Sequence, residues 1–295
     1  MTATWRFEAI GTAWEVVTER RLPEAVRSRV TRAIGDFDRT WSRFRLDSLV
    51  HGLADGGAAP LPPDATAMLD AYVALSEATD GAVNPLVGAS LAHRGYDARY
   101  SLTDHGALPA PQRWTDVLTW DGPMLRLHAP AVIDVGALGK GRLVDLVLEL
   151  VTAEAPGDVV VDASGDLAVR GRPHRIGLEH PFHPTRAIGV WEIADAALCA
   201  SAVNRRAWPS TTDGGLHHVL DARTGEPVRT VAATWATAAD AMTADAIATA
   251  LFFDGGPGLA HEWGAEWVRM TTDGRVEWSP GCRADLFVGP DNVEP

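Results

Sequence analysis

The sequence predicts an α+β fold in which helices are layered on sheet. Three observations carry this expectation. Apolar residues fall at helical spacing between Pro23 and Trp41, and a β-branched run, Asp158-Val-Val-Val-Asp162, has the character of a strand. Strand and helix patterns then alternate along the chain with no internal repeat and no Pro/Ser linker. The chain is therefore read as one domain, residues 1–295, and its 46% hydrophobic content is enough to bury a large core.

Each element has a local reason. Trp5 to Val17 predicts two short strands or a hairpin, interrupted at Gly11-Thr12. Val26, Val30, Ile34 and Phe37 share one face of an amphipathic helix within 23–41. The Gly/Ala/Pro-rich stretch from Asp55 to Pro63 reads as a surface loop, and 64–79 as a second helix with Pro62-Pro63 before it and Asp80-Gly81 ending it. Residues 93–113 read as an irregular excursion. Short strands follow at 117–120 and 124–127, then a glycine-rich turn and a helix carrying Leu143, Val144, Leu146, Val147 and Leu150. The 158–162 run is short and continuously apolar, as a buried strand is. Further strands are expected at 187–193 and 217–220, a helix over 238–253, and a strand pair at 267–271 and 275–279.

Composition narrows the function. A formal net charge of -13 disfavours non-specific binding to nucleic acid or an anionic membrane, because both require a basic face. No stretch reaches the roughly 18 apolar residues of a membrane span, and Met1-Thr-Ala-Thr-Trp-Arg-Phe7 lacks the pattern of a signal segment, so a cytoplasmic location is expected. Cys199 and Cys282 are too few for a disulfide framework. Prolines hold His180 and His183 in extended chain with no carboxylate spaced to join them, and they read as loop residues.

Of the 26 basic residues only Lys140 is a lysine, within Asp134-Val-Gly-Ala-Leu-Gly-Lys-Gly-Arg-Leu-Val-Asp145. Retaining lysine here alone implies that arginine's forked head does not fit. Gly136, Gly139 and Gly141 permit tight turning and close approach to a ligand at a helix start, which makes a plausible phosphate cradle. The spacing is neither that of a Walker loop nor that of a dinucleotide fingerprint, so an exposed lysine in a strand-to-helix connection is the alternative. Asp245 and Thr249, at i and i+4 of the last expected helix, project a carboxylate and a hydroxyl from one face. That spacing suits a hard cation or, equally, a solvated acid beside a packed threonine. His218 has the side chain that titrates nearest neutral pH and could take a proton from a hydroxyl nucleophile, although it and its neighbour His217 could both be ordinary strand residues.

Six further segments accompany the lysine turn: Ala9-Ile-Gly-Thr12, Thr40-Trp-Ser-Arg-Phe-Arg-Leu-Asp-Ser48, Thr79-Asp-Gly-Ala-Val-Asn-Pro85, Val161-Asp-Ala-Ser-Gly-Asp-Leu167, His217-His-Val-Leu-Asp-Ala-Arg-Thr-Gly225 and Ala244-Asp-Ala-Ile-Ala-Thr-Ala250. In order and spacing, and over nearly the whole chain, the set resembles the ApbE family of FAD:protein FMN transferases. The resemblance implies a T-fold-like architecture of mixed, largely antiparallel sheets layered with helices. It implies FAD as donor substrate, magnesium as cofactor, and transfer of FMN to a threonine or serine of an acceptor flavoprotein with release of AMP. It also assigns roles: Asp245 and Thr249 as magnesium ligands with the Gly139 carbonyl as a third, and His218 with Asp245 as the catalytic pair. Ile10, Thr12, Ser42, Phe44, Ser48, Asp80, Gly81, Lys140, Ser164, Gly165 and Asp166 become flavin-nucleotide contacts. An FAD-binding protein without transfer activity and an FAD hydrolase giving FMN and AMP are the alternatives.

The chain departs from the family pattern at several positions. Ile10 stands where the family has methionine, Asn84 where it has an acid, and Ser164 where it has the first of two glycines. Ser201-Ala-Val-Asn-Arg205, with Ala202 for glycine, replaces a Ser-Gly-x-Tyr-Arg segment, and Ala222 replaces a proline. These changes bear on flavin orientation and acceptor recognition more than on the metal ligands.

Overall fold

A computed structural model describes residues 2–209 and 215–287, so the expected domain limits, 1 and 295, lie outside the described residues. Its centre is an eight-stranded sheet whose spatial order is its chain order: β1 (Ala3–Ala9), β2 (Thr12–Thr18), β3 (Val159–Asp162), β4 (Asp166–Arg170), β5 (Ala196–Ala202), β6 (Val231–Ala238), β7 (Glu266–Thr271) and β8 (Val276–Trp278). Every neighbouring pair is antiparallel. The first two strands form the hairpin expected of Trp5 to Val17. Ile10 and Gly11 supply its two turn residues at φ 46° and 75°, the paired positive values that match the twist of the flanking strands.

Four helices position the site: α1 (Glu24–Trp41), α2 (Ala65–Ala78), α3 (Gly139–Thr152) and α4 (Ala241–Ala250). The buried face of α1 is Val26, Val30, Ile34, Phe37 and Trp41, the stripe its spacing predicts. With α3 and α4 it packs on one face of the sheet through Val16, Val161, Ala197, Cys199 and Ala236. The opposite face is covered by a second antiparallel sheet, His174–Glu179, Ala187–Ile193 and Asp285–Leu286, around Trp191, Leu178 and Trp235. The result is helices on one side of a mainly antiparallel sheet and a small sheet on the other, within the expected α+β class.

Helix α4 is buried nearly all round, and its residues are small: Ala241, Ala244, Ala246, Ala248 and Ala250 are fully covered. Small side chains allow the helix to sit close to β5, β6 and α3, so a polar group on it projects into enclosed space rather than water. Gly141 of α3 marks the closest approach. A Cβ there would stand 2.1 Å from the Ala241 carbonyl oxygen and 2.7 Å from the Asp245 Cβ.

Some elements differ from expectation. The stretch read as a loop from Asp55 to Pro63 contains the strand Gly57–Pro60, which pairs with Met124–Leu127, because partner hydrogen bonds outweigh the weak strand tendency of Gly, Ala and Pro. The single strand expected at 217–220 is two short pairings, Leu216–His217 and Leu220–Asp221, with His218 between them. The 93–113 excursion is irregular up to a short helical turn at Trp114–Val117, and a helix at Gly88–His93 precedes it.

Candidate functional site

The site collects where α3 begins, beside α4 and the start of β4. Helix α3 starts at Gly139, which places Lys140 in its first turn. The chain reaches that point through a turn held by Asp134 and Tyr72. The Asp134 carboxylate accepts the Gly136 N–H at 2.7 Å and pairs with buried Arg43. The Tyr72 hydroxyl donates to the Asp134 carbonyl at 3.1 Å and accepts the Ala137 N–H at 3.3 Å. These bonds explain why the segment forms a defined turn despite its glycines.

Lys140 Nζ lies 2.9 Å from Asp166 Oδ2, and Asp166 is fully buried. Burial works against the lysine charge, but Asp166 and then Asp245 hold its pKa above the ordinary lysine value. Neither Asp166 oxygen accepts a well-directed hydrogen bond. Asp245, buried on α4, accepts the Gly141 N–H on Oδ2 at 2.9 Å. Burial first, and the charge of Asp166 second, push its pKa well above the usual carboxylate range. Two buried carboxylates thus share one ammonium, a local excess of negative charge that a proton or a cation would relieve.

One turn beyond Asp245, the Thr249 hydroxyl donates to the Ala137 carbonyl at 3.2 Å. The peptide oxygen facing the threonine is therefore Ala137's. Gly139, the expected carbonyl ligand, is the first residue of α3, two residues further on. Among the described residues no group of three or more His, Cys, Asp or Glu could hold a metal ion. The oxygen set that does exist is mixed: the Asp245 carboxylate, the Thr249 hydroxyl and the Ala137 carbonyl, with Asp166 behind. These are hard oxygen donors beside an excess of negative charge, the donor type that a small divalent cation such as magnesium takes.

The two adjacent histidines have different fates. His217 is satisfied within the protein: Nε2 bonds the Val228 carbonyl at 2.8 Å and Nδ1 accepts the Val219 N–H at 3.3 Å. His218 lies within reach of the Lys140 charge, with Nδ1 buried and without a partner, while a hydrogen bond to the Arg206 backbone supports the ring. Burial, then the charge of Arg206, lowers its pKa to about 3. Near neutral pH the ring is therefore uncharged, with Nδ1 open to a hydrogen-bond donor, and the same burial weakens it as a base. In an NMR titration the His218 ring signals should stay flat between pH 8 and pH 5, and a protonation step near pH 6.5 would show that the ring is not enclosed.

The remaining expected contacts divide. Phe44 stacks on Tyr100 at 5.3 Å and meets Tyr96 edge-on at 5.3 Å, with the Arg43 guanidinium 4.1 Å over its ring. Tyr96 in turn stacks on Trp208 at 5.5 Å. This aromatic wall is larger than the sequence indicated, since only Phe44 lay in a recognisable motif. Ser42 ends α1, and buried Ser48 caps a short helix by accepting the His51 N–H, so these serines have local structural roles. Thr12 bonds back to Ala9 within the hairpin. Asp80 and Gly81, at φ 53° and 83°, close the end of α2, with the Asp80 side chain almost fully exposed. Ser164 and Gly165 make the β3–β4 turn that delivers Asp166. Ser164 takes φ 61° and its hydroxyl donates to Ala13 O, a bond that glycine could not make.

The other departures have structural partners too. Asn84 donates to Pro111 O and accepts the Leu86 N–H, both at 2.8 Å. The Ala222 N–H bonds Ala82 O at 3.0 Å, which a proline could not do. Ala202 pairs with Ala233 in the sheet. Arg206 was not legible as a site residue, yet its charge bears on both His218 and Asp245.

The site thus holds a partly buried ammonium paired with a buried carboxylate, a second buried acid with a hydroxyl one turn away, and a histidine whose Nδ1 has no partner. The ApbE family pattern matches residues 10–269, and the chain belongs to that family. It is 28% identical over 303 residues to an FAD:protein FMN transferase of Rhodobacter capsulatus, covering 95% of this chain and 57% of the relative. It is likewise 28% identical over 282 residues to an FAD:protein FMN transferase of Treponema pallidum, covering 81% of this chain and 75% of that one. The chain therefore spans little more than half the length of the first of these relatives. The fold is that of the ApbE protein from Thermotoga maritima, with TM-score 0.83 at 22% identity over 95% of this chain and 97% of that one. The flavinyl transferase ApbE of Pseudomonas stutzeri gives TM-score 0.79 at 22% identity, covering 95% of each chain.

Proposed function

We propose that the protein transfers the FMN moiety of FAD to a threonine or serine hydroxyl of an acceptor protein, releasing AMP. The carrying observation is the meeting of Asp245, Thr249 and the Ala137 carbonyl beside the Lys140–Asp166 pair, in a chain whose relatives are FAD:protein FMN transferases. The oxygens of Asp245, Thr249 and Ala137 would hold magnesium, which supplies neutralisation of the pyrophosphate charge when bound. Lys140 steadies the phosphate oxygens, exchanging part of its pairing with Asp166 for them. His218, with Nδ1 free, takes the proton of the acceptor hydroxyl as its oxygen attacks the phosphorus of the FMN half, the negative pyrophosphate beside it restoring the basicity that burial and Arg206 lower. The P–O bond to the AMP phosphate breaks, and AMP leaves with the electron pair. The aromatic wall of Phe44, Tyr96 and Tyr100 offers a flat surface to the flavin ring. Among the described residues no helix is long and apolar enough to cross a membrane.

AMP release measured with and without Mg²⁺, and with and without a protein offering accessible threonines, tests this reading. Release should require the cation and quicken with the acceptor. Rapid release of AMP and free FMN without acceptor would make the protein a hydrolase, and FAD binding with no AMP would make it a carrier.

Lys140 permits a separate check. Exchange for methionine removes the ammonium but retains the stem, and a charge-assisted hydrogen bond contributes about 1.5–3 kcal/mol. FAD affinity should fall by an order of magnitude or more, roughly, while riboflavin affinity falls far less, because riboflavin carries no phosphate. Equal losses for both ligands, measured by fluorescence titration, would assign Lys140 to the fold alone.

A further inference from the structure

Asp145 is a buried acid that the proposed chemistry does not use. It lies on α3, one turn beyond Gly141, and turns both carboxylate oxygens onto the start of α4: Oδ1 accepts the Ala241 N–H at 2.7 Å and Oδ2 the Met242 N–H at 2.9 Å. These are two N–H groups of the helix start that its own N-cap leaves over. Asp240 already occupies the N-cap of α4, accepting the Thr243 N–H at 2.8 Å. A second carboxylate brought from another helix carries a desolvation cost, visible in a pKa that burial pushes up to about 6. The two N–H bonds offset part of that cost, and because the acid comes from another helix they also join the two helices.

Gly141 and Asp145 are four residues apart on α3, and their partners Asp245 and Ala241 are four residues apart on α4. The two helices are therefore tied at two points, one turn apart on each. The first tie is the Gly141 N–H on Asp245, which is itself a proposed cation ligand, and the second is the Asp145 carboxylate on the backbone of Ala241 and Met242. The cation ligands are split between the same two elements: Asp245 and Thr249 belong to α4, and Ala137 leads into α3. With Gly141 allowing near contact, a small slide or rotation of α4 would separate Thr249 from the Ala137 carbonyl, now 3.2 Å apart.

We propose that Asp145 is a positioning residue for the divalent-cation site, setting the register of α4 on α3 so that Asp245, Thr249 and the Ala137 carbonyl converge. This rests on the reading of those three groups as the cation ligands. The same two hydrogen bonds satisfy the helix end and tie it to α3, and the positioning role concerns the tie.

The test is Mn²⁺ binding followed by EPR, with riboflavin binding and melting temperature measured on the same samples. Asp145→Asn keeps the shape but turns an amide NH₂ toward one of the two N–H donors. It should raise the Mn²⁺ Kd by about tenfold, within the range found when outer-shell partners of metal sites are changed, and leave riboflavin affinity within about twofold. Asp145→Glu, which keeps the charge on a longer arm, provides a second variant and should also weaken Mn²⁺ binding. Asp240→Ala is the control: it removes the cap of the same helix and should lower the melting temperature with Mn²⁺ affinity nearly unchanged. Wild-type Mn²⁺ affinity in both Asp145 variants, or an equal loss in Asp240→Ala, would overturn the positioning role while leaving the cation site standing. Wild-type protein that holds no Mn²⁺ would overturn the cation site and the positioning role together.

Discussion

Asp245→Asn is expected to reduce Mg²⁺-dependent AMP release by about a hundredfold or more, the scale of losing one preorganised charge-stabilising element from a transition state. The fold should survive. Burial and the charge of Asp166 already favour the neutral form of this acid, so a neutral isostere matches what the folded protein prefers without a cation. The asparagine oxygen can still accept the Gly141 N–H, whereas alanine would leave that buried donor unpaired at a cost of about 1–3 kcal/mol. Steady-state AMP release alongside thermal melting separates the effects. Asparagine protein with unchanged turnover and an unchanged magnesium requirement would remove Asp245 from the site.

His218→Asn should lower acceptor-dependent AMP release by roughly 10²–10⁴-fold, the range for losing a positioned general base. FAD affinity should change little, because proton removal matters in the transition state rather than in docking. The expected split is a fall in kcat with KM for FAD nearly constant. His217 gives the contrast. Its ring nitrogens bond Val228 and Val219, so His217→Asn should act mainly on stability. If the His217 variant lost turnover at constant stability and the His218 variant did not, the two roles would be exchanged.

The fold was legible where one interaction type dominates. The α1 stripe and the β1–β2 hairpin are written in spacing and turn chemistry, and both occur as expected. Strand β6 was not legible. Val231, Thr234, Trp235 and Thr237 favour a strand, but the alanines between them break up the apolar pattern, and Ala236 is small where α4 packs closely above. Strands β4 and β5 also lacked a readable signal. At the site, Asp245, Thr249, Lys140, Asp166 and His218 were named from sequence, and the structure brings them together. What the sequence left hidden depends on distant chain returning: the Ala137 carbonyl that meets Thr249, the wall that Tyr96, Tyr100 and Trp208 add to Phe44, and the charge of Arg206. No local pattern encodes those meetings.

The most direct measurement is the intact mass of an acceptor protein incubated with this protein, FAD and Mg²⁺, with AMP quantified in the same tube. The account predicts an acceptor heavier by one FMN less one water, on a threonine or serine, in amounts equal to the AMP released and absent with Asp245→Asn. AMP released in step with free FMN, on acceptors of unchanged mass that a related FAD:protein FMN transferase does modify, would contradict it.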